Sequence, residues 1–206
     1  MNRPATLPRV AVYLFALSTL VSSGVAQAAS YLVTGIDDVA TGSPASCTGA
    51  APNFSCPTLR DAVAAANATP DDDEISSQSP FTLTITLVHG PLAIANNGSL
   101  AIDGNTLINT NIAISGNNAS RVFVIEENAV ATLRRLDVVN GSAAFPEGGG
   151  GIRTAGNLTL EYVTVSGNGA YGVGGIQNSG TLELRTARSR ATPPSASAAS
   201  ATRAHA

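Results

Sequence analysis

The stretch GGGIRTAGNLTL (residues 149–160) returns as VGGIQNSGTLEL (173–184). Ile152 and Ile176, Gly156 and Gly180, Leu158 and Leu182, and Leu160 and Leu184 are each 24 residues apart. Self-similarity at such a period marks a chain that winds rather than one that folds around a single centre. One winding earlier, Leu133, Leu136 and Val138 repeat the internal spacing of Leu160, Val163 and Val165 at an offset of 27, and SAAFPEGGG (142–150) absorbs the three extra residues. Apolar positions hold while loop lengths drift. A β-helix behaves this way: inward side chains pile into columns on turns about 4.8 Å apart, and insertions bulge outward. The predicted repeat core is therefore Leu133, Leu136, Val138, Ile152, Leu158, Leu160, Val163, Val165, Ile176, Leu182 and Leu184. A leucine-rich repeat would need its Leu-x-x-Leu-x-Leu frame and a helical return, and the sequence offers neither.

Composition agrees with thin, regular layers. Of 206 residues 44% are hydrophobic but only 4% aromatic, and Trp is absent, so the core must come from Val, Ile, Leu and Ala. A net charge of -3 supplies no basic footprint, which argues against nucleic acid or an anionic membrane surface as partner. From Phe81 to Leu184 the chain is a series of short apolar alternations separated by Gly and Asn, the expected β-helix turns, roughly four in number by their alignment. The glycines at 148–151 are read as positive-φ corners and slots for close approach, and Asn140, Asn168 and Asn178 as corner residues bonding along the stack.

One segment breaks the pattern. Within CPTLRDAVAAANATPDDDEI (56–75), Thr58 can cap a helix with Asp61 at the third position, while Leu59, Ala62, Val63 and Ala66 share one face. That face is narrow and made of small groups, suited to lying flat as a lid on the open end of the coil, where unpaired strand edges would otherwise invite association. Arg60 lies off that face and is expected to remain in water, or failing that to meet Asp71, Asp72, Asp73 and Glu74. The acidic run lacks both the Asp-x-Asp-x-Asp-Gly frame and the Gly-Gly-x-Gly-x-Asp repeat, so it is read as a solvated loop and no metal site is assigned. YLVTGIDDV (31–39) reads as a first strand.

The beginning of the chain resembles an export address. Arg3 and Arg9 precede an apolar run from Val10 to Val21, and Ala26-Gln27-Ala28 offers the small-x-small pattern of a cleavage site. Residues 1–28 are thus expected to be a signal peptide, leaving no integral membrane span after its removal. In an oxidising compartment Cys47 and Cys56 form a disulfide by default. The remaining organisation is a capping region at 29–80, coils at 81–184, and a tail at 185–206. That tail, without Val, Ile, Leu, Phe, Gly or Asn, is expected to be disordered, with the composition of a shifted reading frame that would make the chain a fragment of a longer protein; a genuine basic anchoring tail is the alternative.

The run Cys56-Pro57-Thr58-Leu59-Arg60-Asp61-Ala62-Val63 resembles the N-terminal signature of CSLREAI-type domain proteins. Thr58, Leu59, Arg60, Asp61, Ala62 and Val63 stand for Ser-Leu-Arg-Glu-Ala-Ile, and Pro57 is an insertion. The likeness runs from about Tyr31 to Leu184. It implies an all-β, right-handed parallel β-helix with a short N-terminal capping helix, in a protein that is secreted or held at the bacterial cell surface. The signature carries no catalytic residues to transfer.

Function is less constrained, since a fold does not dictate an activity. The leading expectation is a non-enzymatic surface module for adhesion or interaction, its partner a glycan or protein at the cell surface, with no catalytic residues and no cofactor assigned. The rival is a polysaccharide-active enzyme, either pectate-lyase-like or a glycoside hydrolase. Asp137 and Glu161 on adjacent turns would be its carboxylate pair, or Arg134 the base of a lyase beside a calcium site. Superposing the leucine columns aligns Arg134, Glu161 and Arg185 with alternating charge, which reads more simply as a cross-strand ladder at the surface.

Overall fold

The structure, a computed structural model, describes residues 27–78, 83–95, 98–105, 111–186 and 188–190. Nearly all of the expected leader and the tail from residue 191 lie outside these. The cap comprises β1 (Ser30–Val33), β2 (Thr48–Ala50), β3 (Asn53–Cys56) and α1 (Leu59–Ala66). The first turn holds β4 (Asp73–Ser77), β5 (Thr84–Thr86) and β6 (Leu92–Ile94); the second, β7 (Ser99–Asn105), β8 (Ile112–Ser115) and β9 (Phe123–Ile125). In the third are β10 (Val130–Arg134), β11 (Leu136–Val139), β12 (Ser142–Ala143) and β13 (Ile152–Thr154). The fourth has β14 (Asn157–Glu161), β15 (Thr164–Ser166), β16 (Gly169–Ala170) and β17 (Ile176–Asn178), and the fifth β18 (Thr181–Arg185) and β19 (Arg188–Arg190).

Strands from successive turns pair in parallel, giving an eight-stranded first sheet, a five-stranded second and a four-stranded third, with β12 and β16 bridging one corner. The result is a parallel β-helix of about five turns, one more than the aligned repeats suggest. The extra turn starts at β4, inside the region read from sequence as cap: Ile75 stacks on Ile102, so winding begins at Asp73 rather than at residue 81.

Register matches the periodic residues closely. Ile102, Leu133, Leu160 and Leu184 form one column of the first sheet. Ile85, Ile114, Val138 and Val165 form another in the second, and Leu92, Phe123, Ile152 and Ile176 a third in the third sheet. Of the predicted core, Leu133, Leu136, Val138, Ile152, Leu158, Leu160, Val163 and Val165 are buried. Ile176 and Leu182 are partly buried against them, and Leu184 is exposed. Leu184 thus keeps its register without joining the core, because among the described residues no turn lies over it. Each fully buried leucine contributes about 1.5 to 3 kcal/mol relative to exposure.

Corners explain the glycines and asparagines. A Cβ on Gly141 would come within 2.0 Å of the Gly150 carbonyl oxygen, so two corners can meet only where neither carries a side chain. Asn168 is buried there; its Oδ1 accepts from the Gly141 N–H at 2.7 Å and its Nδ2 donates to the Val138 carbonyl at 2.9 Å. Asn140 takes positive φ, as the corner reading expects. Asn178 instead accepts from the Gly180 N–H at 3.0 Å, a bond within its own turn.

The lid forms as the sequence indicates, with a different use of its polar groups. The Thr58 hydroxyl accepts from the Asp61 N–H at 3.1 Å and caps α1. Asp61, one methylene shorter than the glutamate of a capping box, does not return a bond to the Thr58 N–H. Its Oδ2 takes the Thr58 hydroxyl at 2.6 Å and its Oδ1 the Ser43 N–H at 2.9 Å, tying the preceding loop to the helix. Leu59, Ala62, Val63, Ala65 and Ala66 seal the core end. Cys47 and Cys56 are bonded, with Cα atoms 4.2 Å apart, bracing the hairpin of β2 and β3 that extends the first sheet beyond β1.

Three sequence readings need correction here. The first strand ends at Val33, not at residue 39. Beyond it the chain turns so that Asp38 meets Arg60, and Arg60 is not solvated: Nε and Nη2 grip the Asp38 carboxylate at 2.7 and 3.0 Å, with side-chain exposures of 12% and 1% for Arg60 and Asp38. The acidic run is a solvated loop only in part: Asp72 and Glu74 are exposed, Asp73 is not. Asp73 opens β4 and is buried, accepting from the Ala29 N–H at 2.8 Å and the Thr69 hydroxyl at 2.8 Å. Asp72 receives the Ser99 N–H and hydroxyl at 3.0 and 2.7 Å.

Candidate functional site

Two outward regions of the stack carry the side chains that bear on function. The first is the edge of the first sheet. Because β10, β14 and β18 are in register, Arg134, Glu161 and Arg185 stand over one another. Arg134 Nε donates to Glu161 Oε2 at 2.8 Å, and Arg185 Nη1 to Oε1 at 3.0 Å. The hydrogen bond from Arg134 outweighs partial burial and, with its charge and that of Arg185, holds the Glu161 carboxyl below the usual glutamate range. A carboxylate with both oxygens occupied and a depressed pKa is poorly suited to donate a proton.

Asp137, its proposed partner in hydrolysis, lies on β11 in the second sheet, around the corner made by Arg135 and Tyr162 at φ 48° and 56°. Its Oδ1 accepts from Asn111 Nδ2 at 2.7 Å, and the same amide reaches the Tyr162 carbonyl at 3.2 Å. The two carboxylates thus have separate partners on separate sheets. Arg134, the lyase base candidate, is committed to Glu161. Among the described residues no group of three or more His, Cys, Asp or Glu is placed to hold a metal ion.

The second region is the corner between the second and third sheets, where the longer loops leave the stack. Residues 144–151 lie on residues 170–175: the Gly149 N–H donates to the Val173 carbonyl at 2.6 Å, and the Gly151 N–H to the carbonyls of Gly174 and Gly175, both at 3.0 Å. This glycine-built base presents Phe145 and Tyr171 outward, 70% and 66% exposed. Their ring centroids are 4.7 Å apart and their planes meet at 87°. Arg121 anchors the loop by donating Nε to the Gly148 carbonyl at 3.1 Å while Nη2 pairs with Glu147. That bond, the Arg121 charge and a smaller contribution from Arg153 keep the exposed Glu147 carboxyl below its ordinary range. Arg153 and Gln177 are register partners on β13 and β17 and both are exposed.

Comparisons of the chain with family models, curated proteins and solved structures return no match.

Sequence reasoning found the ladder and missed the aromatic corner. In the sequence Phe145, Pro146 and Glu147 read only as slack between repeats. Their signal was available, since an aromatic residue in a loop of a chain with only five Phe and four Tyr is unlike a spacer made of small polar groups.

Proposed function

We propose that this chain is an exported β-helix module, secreted or displayed at a bacterial cell surface, that works by adhesion or interaction rather than by turnover. The observation that carries the reading is the projection of Phe145 and Tyr171 from two stacked, hydrogen-bonded loops on an otherwise regular coil, because large exposed side chains on a rigid base are what a binding surface requires. The Cys47–Cys56 bond supports an oxidising destination, as do the basic and apolar leader and the resemblance to CSLREAI-type proteins. Among the described residues no helix is long and apolar enough to cross a membrane.

The test is to produce the full chain in a bacterial host, fractionate the cells, and measure how beads coated with the released protein adhere to glycan- and protein-coated surfaces. Export with saturable adherence is expected. Retention in the cytoplasm, or adherence no greater than that of uncoated beads, overturns the reading. So does any turnover of pectin or alginate, with or without calcium, that is lost in Asp137→Asn or Glu161→Gln.

A further inference from the structure

We infer that the corner carrying Phe145 and Tyr171 is a carbohydrate-binding site that takes a pyranose unit of a glycan against the aromatic pair. This rests on the adhesion reading and names the ligand class for it. An aromatic face is negative and apolar, and the C–H face of a pyranose is apolar with a slight positive charge, so the two stack without demanding a deep pocket. The rings stand at 87° with centroids 4.7 Å apart, the edge of one against the face of the other, and both remain about two-thirds exposed, so ring face is left for a sugar.

Polar groups for the equatorial hydroxyls lie alongside. Gln177 borders the loop: a Cβ placed on Gly148 would be 3.3 Å from Gln177 Oε1, and one on Gly149 would be 2.9 Å from Gln177 Cβ. Arg153 is its register partner, and Glu147 is held in place by Arg121. An amide, a guanidinium and a carboxylate offer both donors and acceptors in planar pairs, as a polyhydroxylated ligand requires. The glycines let Gln177 and Val173 approach the loop closely, so the platform is fixed before a ligand arrives, which limits the ordering cost of binding.

Charge and area favour a sugar over a protein. Two arginines face one glutamate at this corner, so a uronate is expected to bind more tightly than a neutral hexose. A stable protein interface buries on the order of 800 Å² on each side with a larger apolar centre. The exposed large apolar side chains of the described residues are instead scattered: Tyr162 lies at the other corner, Val88 in the first turn and Leu184 on the fifth.

The experiment is isothermal titration of the full chain with oligogalacturonate and with neutral gluco-oligosaccharides, for wild type, Tyr171→Leu, Tyr171→Phe, Phe145→Leu and Phe145→Tyr, with thermal melts of each. Saccharide binding is expected in the wild type and tighter for the uronate. The ring-removing variants should weaken it about tenfold or more and the ring-retaining variants should keep it, while the melts show that each variant remains folded at the temperature of the titration. Binding that is equal in wild type and in both leucine variants sinks the site. A wild type that adheres to a protein-coated surface but binds neither saccharide sinks the sugar assignment and leaves the adhesion reading standing, while failure of every adherence and titration assay overturns both.

Discussion

Leu160 and Leu184 occupy the same position in successive turns, share a column and each follow a leucine two residues earlier, yet Leu160 is 0% exposed and Leu184 41%. At the opposite end the contrast reverses. The first turn also lacks a full winding beneath it, but Leu59, Ala62 and Val63 of α1 cover its core. Side chains answer its backbone there. Asp38 Oδ2 accepts from the N–H groups of Val88 and His89 at 2.8 and 3.0 Å. Arg60 donates to the carbonyls of Gly90 and Pro91 at 2.7 and 3.0 Å. Asn67 donates to the Ala93 carbonyl at 2.9 Å and accepts from the Ala95 N–H at 3.0 Å. In a solenoid, burial is conferred by the adjoining layer and not by a residue's own place in the repeat; at the first turn the adjoining layer is a helix, and Arg60 on it, Asn67 at its end and Asp38 in the loop before it carry the polar groups a strand would have used.

The comparison breaks most visibly at Asp38. Asp38→Ala leaves the Arg60 guanidinium buried and unpaired and strips two N–H groups of their acceptor, so stability should fall by about 3 to 5 kcal/mol, measured by urea denaturation. A loss under 1 kcal/mol would mean that the pair does not close this end. Next comes the leucine column itself. Leu160→Ala should cost about 2 to 5 kcal/mol, whereas Leu184→Ala should cost less than about 1 kcal/mol because little is removed from water. Equal losses would contradict the dependence on the adjoining layer.

Acid titration sharpens the account of the cap. Burial alone would raise the Asp38 pKa, but the Arg60 guanidinium and the N–H groups of His89 and Val88 outweigh it and the net direction is down. The native state therefore binds fewer protons, and the stabilisation is complete above the ordinary carboxylate pKa and lost as pH falls through the depressed one. Asp73 runs the other way: burial, with the nearby charges of Asp71 and Asp72, raises its pKa despite bonds from Ala29 and Thr69, so its contribution weakens as pH rises from the ordinary value through the raised one. Asp38→Asn should thus make stability less sensitive to acid and Asp73→Asn more so, read from denaturation midpoints between about pH 3 and 6. The smallest effect belongs to the ladder, where a double-mutant cycle of Arg134→Ala and Glu161→Ala should give a coupling of about 0.2 to 1 kcal/mol that shrinks in added salt.

What could be read from the amino acids divides along the same line. Columns such as Leu133–Leu160 and Ile152–Ile176 were legible because a parallel stack repeats its inward residues, and periodicity survives loops of unequal length. The lid was legible because α1 announces itself by a cap and a stripe. The grip of Asp38 on Arg60, the burial of Asp73 and the pairing of Phe145 with Tyr171 were not. Each joins loop or edge positions with no shared period, and the partners meet only after the coil has set the distance between corners.

Asn67 has a consequence of its own. Its amide occupies the place of the next strand's peptide group, donating and accepting at once, so the first winding is finished on that side and cannot be extended by another chain. The unpaired donors and acceptors that make an open sheet end a template for association are thereby removed at that point.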